Sequence, residues 1–282
     1  MDEWRTWGPD TWRTWSSERR QDEVSPSSKV PGRDASPWLA EYARLGREAH
    51  DRAPHGVHLL RYGDRPDEVV SWVPAGAQPA PLVVFIHGGY WVALSHTDGL
   101  FAGPSLAEAG IHYASVNYTL APEARLEDIV DQCRRAVRFL VGTAGLPVDP
   151  GRIMLVGHSA GGQLAAMCAG SIDGASLLGF SGVFDLEPLI GTTVDGPLGL
   201  DPARARSLSP LHRPAPSHRR SLMVVGEHDP DHFKYQTMRY AEHLGGDWRE
   251  CPGANHFDVI LGLADPASDV RRWVGDVLRS VN

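Results

Sequence analysis

The 282-residue chain lacks long hydrophobic runs, an excess of basic residues and a leader-like first segment. No apolar stretch approaches the roughly 20 residues that a membrane-spanning helix needs, so we expect no membrane association. Asp and Glu outnumber Lys and Arg, and the formal net charge of −8 argues against a nucleic-acid-binding surface. The first ten residues carry acidic side chains where a signal peptide has basic ones, and no apolar segment follows. We therefore expect a cytoplasmic protein.

Cysteine is also scarce. Cys133, Cys168 and Cys251 are widely spaced and form no CxxC pair, so neither a zinc site nor a disulfide framework is indicated. Buried free thiols are the simpler interpretation. The chain also has no G-x-G-x-x-G after a strand, no P-loop and no cluster of metal-ligand residues. The sequence therefore predicts no cofactor and no metal.

Tryptophan, in contrast, is concentrated at the start of the chain. The first 35 residues hold four of the nine tryptophans, within a WRTW repeat at 4–7 and 12–15. We interpret 1–35 as an arm that packs its indoles on the body of the protein or on a second subunit, so a homodimer is possible. A partner-docking segment is the alternative, because four exposed indoles would form an adhesive surface. Residues 36–282 are predicted to form a single domain.

From residue 69 onward, strand and helix signals alternate. Strands are predicted at 69–73, 81–87, 112–117, 152–159, 176–182, 221–226 and 247–251. Helices are predicted at 38–52, 125–141 and 268–278, the second on its i, i+3/i+4 apolar spacing. This alternation is typical of an α/β fold with a mostly parallel sheet and helices on both faces. Residues 186–220, rich in Pro, Gly and Thr, interrupt it and are predicted to form a cap-like insertion over the carboxyl edge of the sheet.

The strongest local motif is G-H-S-A-G at 157–161, between a predicted strand and a helix-like segment. In that context the glycines allow a tight turn that raises Ser159 above the sheet, at the N-terminus of the following helix. A plain strand-to-helix turn with a serine N-cap is the alternative. We predict that Ser159 is a nucleophile.

A second motif, H-G-G-Y-W at 87–91, also follows a buried strand. The amides of Gly88 and Gly89, with that of Ala160, are predicted to form an oxyanion hole. His87 is expected to brace this loop rather than act as a base. Tyr90 and Trp91 are the candidate substrate-binding residues, whose bulk would narrow the acyl side of a pocket. The alternative is that they cap the core.

A nucleophilic serine needs a base and an acid that orients the base, which follow in the order Ser, acid, His. Asp229 comes after the strand at 221–226, with Asp231 as second choice and Asp185 as third. His256 follows the last predicted strand and is the predicted base. His158, next to the nucleophile, is expected to pack or hydrogen-bond locally.

The motifs HGGYW, YTLAPEARLEDIVDQ, GHSAGGQLAAM, SGVFDLEPL and ANHF together resemble the kynurenine formamidases (arylformamidases) of the α/β-hydrolase superfamily. The resemblance runs from about residue 24 to near the C-terminus. It implies an α/β-hydrolase fold and hydrolysis of N-formyl-kynurenine, or a related aryl formamide, to the aryl amine and formate. Matched to this sequence, it implies Ser159, Asp229 and His256 as nucleophile, acid and base, and Gly88 and Gly89 as oxyanion glycines.

The expected ligand is thus a small-molecule substrate. Two alternatives stand beside the formamidase interpretation. One is a carboxylesterase acting on small acyl esters or on a secondary metabolite. The other is a non-catalytic binding module on a hydrolase scaffold, although all three triad positions are filled.

Overall fold

The computed structural model describes residues 2–280 and is organised around one eight-stranded sheet. The strand order is β1-β2-β4-β3-β5-β6-β7-β8, with β1 and β2 antiparallel to their neighbours and the other strands parallel. The strands are β1 (His58–Arg61), β2 (Val69–Val73), β3 (Ala80–Ile86), β4 (His112–Val116), β5 (Val148–His158), β6 (Ser176–Phe180), β7 (Ser221–Gly226) and β8 (Asp247–Cys251). The predicted α/β class and mostly parallel sheet are confirmed.

Eight α-helices accompany the sheet within residues 2–280. They are α1 (Ser17–Glu23), α2 (Ser36–Arg52), α3 (Gly103–Glu108), α4 (Leu126–Arg138), α5 (Ala160–Cys168), α6 (Pro202–Leu208), α7 (Asp231–Leu244) and α8 (Asp269–Arg279). In α4, acidic residues stand in the first turn and basic residues in the last, which suits the helix dipole. Its apolar stripe is buried against the sheet, as the spacing predicts.

Helices cover both faces of the sheet, so each face has its own hydrophobic core. Strand β3 contributes side chains to both cores. Leu82, Val84 and Ile86 belong to the core with α4, α5 and α7, whereas Val83 and Phe85 belong to the core with α2, α3 and α8. A strand buried on both faces reads as a continuous apolar run, which is the pattern of β3 in the sequence. The carboxyl ends of the central strands are thereby fixed side by side.

Helices α1, α3 and α6, the edge strand β1 and helix α7 were not predicted from the sequence, and the last two show the physical reason most clearly. The edge strand β1 has only four residues, and three of them are exposed. Helix α7 buries the polar residues His232, Lys234, Gln236 and Thr237, so its sequence shows no clean apolar stripe. Both elements depend on tertiary partners that a local pattern does not contain.

The arm at 1–35 lies on the body of the same chain. Trp4 is buried edge-on against Trp248 at 6.0 Å, and Trp15 lies edge-on to His232 at 5.3 Å. Within the arm, Ser17–Glu23 form helix α1, which Ser16 caps by accepting a hydrogen bond from the Arg19 amide. A homodimer stays a prediction, as do the arm and single-domain boundaries.

Candidate active site

Ser159 lies at the turn between β5 and α5, with a left-handed backbone φ of 54°. Such a φ is uncommon and strained for a residue with a side chain. A Cβ on Gly157 would lie 2.0 Å from the Gly161 carbonyl oxygen, and one on Gly161 would lie 2.0 Å from that of Ile86. Both glycines are therefore required for strand, turn and helix to pack this closely.

We expect Gly161→Ala to lower the free energy of unfolding by about 3 kcal/mol, because the added methyl group collides with backbone that has no room to retreat. Gly142→Ala is the matched control, since a Cβ there meets nothing within 4 Å. Urea denaturation of both variants measures the difference. Equal stability of the two variants would contradict the packing described for the turn.

His256 and Asp229 form a buried pair, with 2.6 Å between His256 Nδ1 and Asp229 Oδ1. The other carboxylate oxygen accepts hydrogen bonds from the Ser181 hydroxyl at 2.7 Å and the Gly226 amide at 2.9 Å. These donors hold the carboxylate in one orientation. With its Nδ1 proton donated to Asp229, the imidazole presents Nε2 as the basic nitrogen.

Ser159 and His256 line the same cavity, and both are nearly inaccessible to solvent, at 3% and 2% exposure. The structure gives no hydrogen bond between the Ser159 hydroxyl and the His256 ring. Such bonds are often long or poorly aligned before substrate binds. The fold thus brings the predicted nucleophile, base and acid to one place at the carboxyl ends of β5 and β7 and the loop after β8.

Ser181 is a site residue that the sequence analysis left without a role. It directly follows β6, has a φ of 45° and is fully buried beside Asp229. The only sequence signal is a serine-glycine pair at the end of a buried strand, within the SGVFDLEPL segment.

We expect Ser181→Ala to lower kcat about tenfold, because a hydrogen bond to a charged group contributes roughly 1.5–3 kcal/mol. The matched control is Ser115→Ala, since Ser115 is equally buried and its hydroxyl has no hydrogen-bond partner. Steady-state kinetics of both variants give the comparison. Equal kcat values would show that Asp229 does not depend on this donor.

The backbone of Gly88 lies directly over the nucleophile. A Cβ on Gly88 would come within 3.1 Å of Ser159 Cβ, and Gly89 has a φ of 92°. Among the described residues, the amides of Gly88 and Gly89 have no hydrogen-bond acceptor. Ala160 begins α5, where the helix leaves the amide without an internal partner. Gly88 and Ala160 thus adjoin the nucleophile, Gly89 lines the same cavity, and an oxyanion role for the three amides stays a prediction.

The two histidines beside the motifs have structural contacts. His87 Nδ1 donates to the Gly88 carbonyl oxygen at 2.9 Å, its ring stacks on Tyr118, and burial lowers its pKa to about 4. His158 Nε2 donates to the carbonyl oxygen of His256 at 2.8 Å. Burial and then the neighbouring His256 lower the pKa of His158. Both rings are therefore neutral at neutral pH.

The two aromatic residues of the HGGYW motif, Tyr90 and Trp91, lie in different places. Tyr90 lines the cavity, and its hydroxyl donates to the Val24 carbonyl oxygen of the arm. Trp91 is fully buried and donates from Nε1 to Gln163 at 3.1 Å, so it lies in the core and not against the cavity. The alternative, that Trp91 caps the core, describes this position, and a substrate-binding role of Trp91 stays a prediction.

The alternative acids do not reach the base. Asp231 is the first residue of α7, and Asp185 lies 3.3 Å from His212 Nε2. The Asp185 carboxylate raises the pKa of the His212 imidazole. Burial raises the pKa of the Asp185 carboxyl, but the neighbouring imidazole opposes this effect, and the pKa is lowered on balance.

The fold also assembles a cluster that the sequence did not indicate. Single ligand atoms of Asp185, Glu187 and His212 lie within 4.8 Å of one another. Arg13 Nη2 is 2.7 Å from Glu187 Oε2, and Arg206 Nη1 is 3.8 Å from Oε1. Guanidinium groups thus provide the positive charge that a cation would supply, and one of them comes from the arm.

The cavity at Ser159 has a volume of about 320 Å³. Its walls come from the arm, from α2, from the loop after β3 and from the 186–220 segment. The lining residues are Ser25, Pro26, Ser27, Ala35, Leu39, Tyr42, Gly89, Tyr90, Ala93, Leu94, His158, Ser159, Val194, His256 and Phe257. The contributions of the arm and of α2 were not predicted from the sequence.

Solved structures of other proteins share this fold over most of the chain. A crystal structure from Silicibacter sp. described as a candidate thioesterase superposes with a TM-score of 0.79 and 27% identity, over 92% of this chain and 98% of that chain. The hormone-sensitive-lipase homologue EstE7 superposes with a TM-score of 0.67 at 20% identity. The chain has the α/β-hydrolase fold. A family model described as BD-FAE matches residues 72–184 of this chain.

The curated relatives confirm the resemblance seen in the motifs. The chain is 28% identical to "Kynurenine formamidase" of Danio rerio over 86% of its own length and 90% of that protein. It is 27% identical to "Kynurenine formamidase" of Drosophila melanogaster over 92% of each. The relatives are enzymes, which supports a serine hydrolase and not a non-catalytic module. Within residues 2–280, no helix combines the length and apolar character that a membrane span requires.

Proposed function

We propose that the hydrolase cleaves aryl formamides, with N-formyl-kynurenine or a related compound as substrate. The observation that carries the proposal is the similarity to two kynurenine formamidases over most of each chain, together with the buried His256–Asp229 pair beside Ser159. The proposed nucleophile is Ser159, the base is His256 and the acid is Asp229. The proposed oxyanion donors are Gly88, Gly89 and Ala160.

In the proposed reaction, Ser159 Oγ attacks the formyl carbon and its proton passes to His256 Nε2. The carbonyl oxygen becomes an oxyanion, which the three amides stabilise. The C–N bond then breaks, and His256 returns the proton to the departing aryl amine. Water attacks the formyl ester by the same route and releases formate and free Ser159. An aniline-type amine leaves more readily than an alkyl amine, which suits this chemistry.

The second candidate is a carboxylesterase acting on small acyl esters. The apolar walls of the cavity and a 33% identity over 38% of this chain to "Isoprenylcysteine alpha-carbonyl methylesterase ICME" of Arabidopsis thaliana favour it. The same catalytic groups would serve both reactions, so only the substrate distinguishes them.

Initial rates separate the two candidates. We expect kcat/KM for N-formyl-kynurenine or a simple formanilide to exceed that for p-nitrophenyl acetate and butyrate, with Ser159→Ala as the blank. Rates for the esters above those for both formamides would contradict the formamidase proposal and favour the esterase.

A further inference from the structure

The cavity at Ser159 contains no fixed charge. Among the described residues, no Asp, Glu, Lys or Arg lines it, and seven of its lining residues are aliphatic side chains, proline or phenylalanine. Its two histidines are engaged, since His256 pairs with Asp229 and His158 is a neutral donor to the His256 carbonyl. A ligand in this cavity therefore meets almost only apolar surface.

The hydroxyl groups on the walls are mostly used within the protein. Tyr90 donates to the Val24 carbonyl oxygen and Tyr42 to that of Phe257. The Ser25 hydroxyl accepts a hydrogen bond from Gln21 at 2.8 Å. The cavity thus offers few polar partners apart from the catalytic groups, Ser27 and the remaining O–H donor of Ser25.

The wall formed by the arm is fixed to the body. Gln21 exchanges two hydrogen bonds of 2.9 Å with Thr193, next to Val194 of the cavity. The buried Glu23 accepts a hydrogen bond from the His232 amide at 2.9 Å, at the start of α7. The part of the arm that lines the cavity is therefore fixed to the body of the protein by several hydrogen bonds and is not a free tail.

The apolar lining of the cavity indicates which chemical groups the substrate carries besides its formamide. N-formyl-kynurenine carries an ammonium and a carboxylate on the side chain of its ring. Burying such charges without partners costs several kcal/mol, and sites that bind them supply paired charges. We propose that the substrate is a neutral, apolar aryl formamide that lacks the amino-acid head group of N-formyl-kynurenine. This inference rests on the proposed formamidase activity and specifies its substrate class.

The test compares N-(2-acetylphenyl)formamide with N-formyl-kynurenine on the wild-type enzyme. The two share the ring, the ortho carbonyl and the leaving amine, and they differ only in the charged head group. We expect kcat/KM to be about tenfold higher for the neutral compound, a difference of about 1.4 kcal/mol in transition-state binding. Equal values, or a preference for N-formyl-kynurenine, would overturn the inference.

A binding measurement separates this inference from the proposed function. 2-Aminoacetophenone and kynurenine are the corresponding amine products, and each is tested as an inhibitor of p-nitrophenyl acetate hydrolysis. We expect tighter inhibition by 2-aminoacetophenone, whereas tighter inhibition by kynurenine would contradict the uncharged cavity. If neither formamide is hydrolysed while 2-aminoacetophenone inhibits more tightly, the formamidase proposal fails and the preference of the cavity for neutral aryl compounds stands.

Discussion

Ser159→Ala is expected to lower kcat for formamide hydrolysis by about 10⁶-fold, the loss seen when the serine of a serine-protease triad is removed. The methyl group of alanine cannot attack the formyl carbon, and among the described lining residues Ser159 is the serine at the strained turn. Steady-state rates on an aryl formamide measure the effect.

The variant needs a control for folding, because the turn at Ser159 is strained. Ser217→Ala removes the same hydroxyl from an exposed loop and should leave kcat and the melting temperature unchanged. Retention of more than a few percent of activity by Ser159→Ala would show that another residue is the nucleophile.

Asp229→Asn is expected to lower kcat by about 10⁴-fold, as in the corresponding serine-protease variant. The amide places a donor or a neutral acceptor opposite His256 Nδ1, so the ring loses the tautomer in which Nε2 accepts the serine proton. The packing around the site is kept, since asparagine has nearly the shape of aspartate.

Asp231→Asn is the matched control for this prediction. Asp231 stands two residues away at the start of α7, and His256 Nδ1 is hydrogen-bonded to Asp229 instead, so we expect kcat to change by no more than a small factor. A larger loss for Asp231→Asn than for Asp229→Asn would reverse the assignment of the acid.

The central part of the fold follows from local sequence patterns. Strands such as β3 are continuous apolar runs, and α4 has an amphipathic spacing that survives in the structure. The positions of Ser159, Asp229 and His256 follow because parallel strands bring their carboxyl ends to one edge, where the loops carry the chemistry. The motifs were therefore enough to predict which side chains meet.

The residues that sequence reasoning missed depend on contacts between distant segments. Ser181 supports Asp229 across 48 positions of sequence, and no local pattern distinguishes it from other buried serines. The Gln21–Thr193 bonds join the arm to a loop more than 170 residues away. For the same reason, the position of Trp91 in the core depends on Gln163 and could not be read from the HGGYW motif alone.

Titration with a fluorophosphonate, which modifies activated serines, tests whether Ser159 is the nucleophile for formamide hydrolysis. Peptide mass spectrometry gives the fraction of Ser159 modified, and residual hydrolysis of an aryl formamide is measured on the same samples. We expect activity to fall in proportion to modification of Ser159 and to reach zero at one equivalent. Full modification of Ser159 with formamide hydrolysis intact, or loss of activity through modification of another residue, would contradict this expectation.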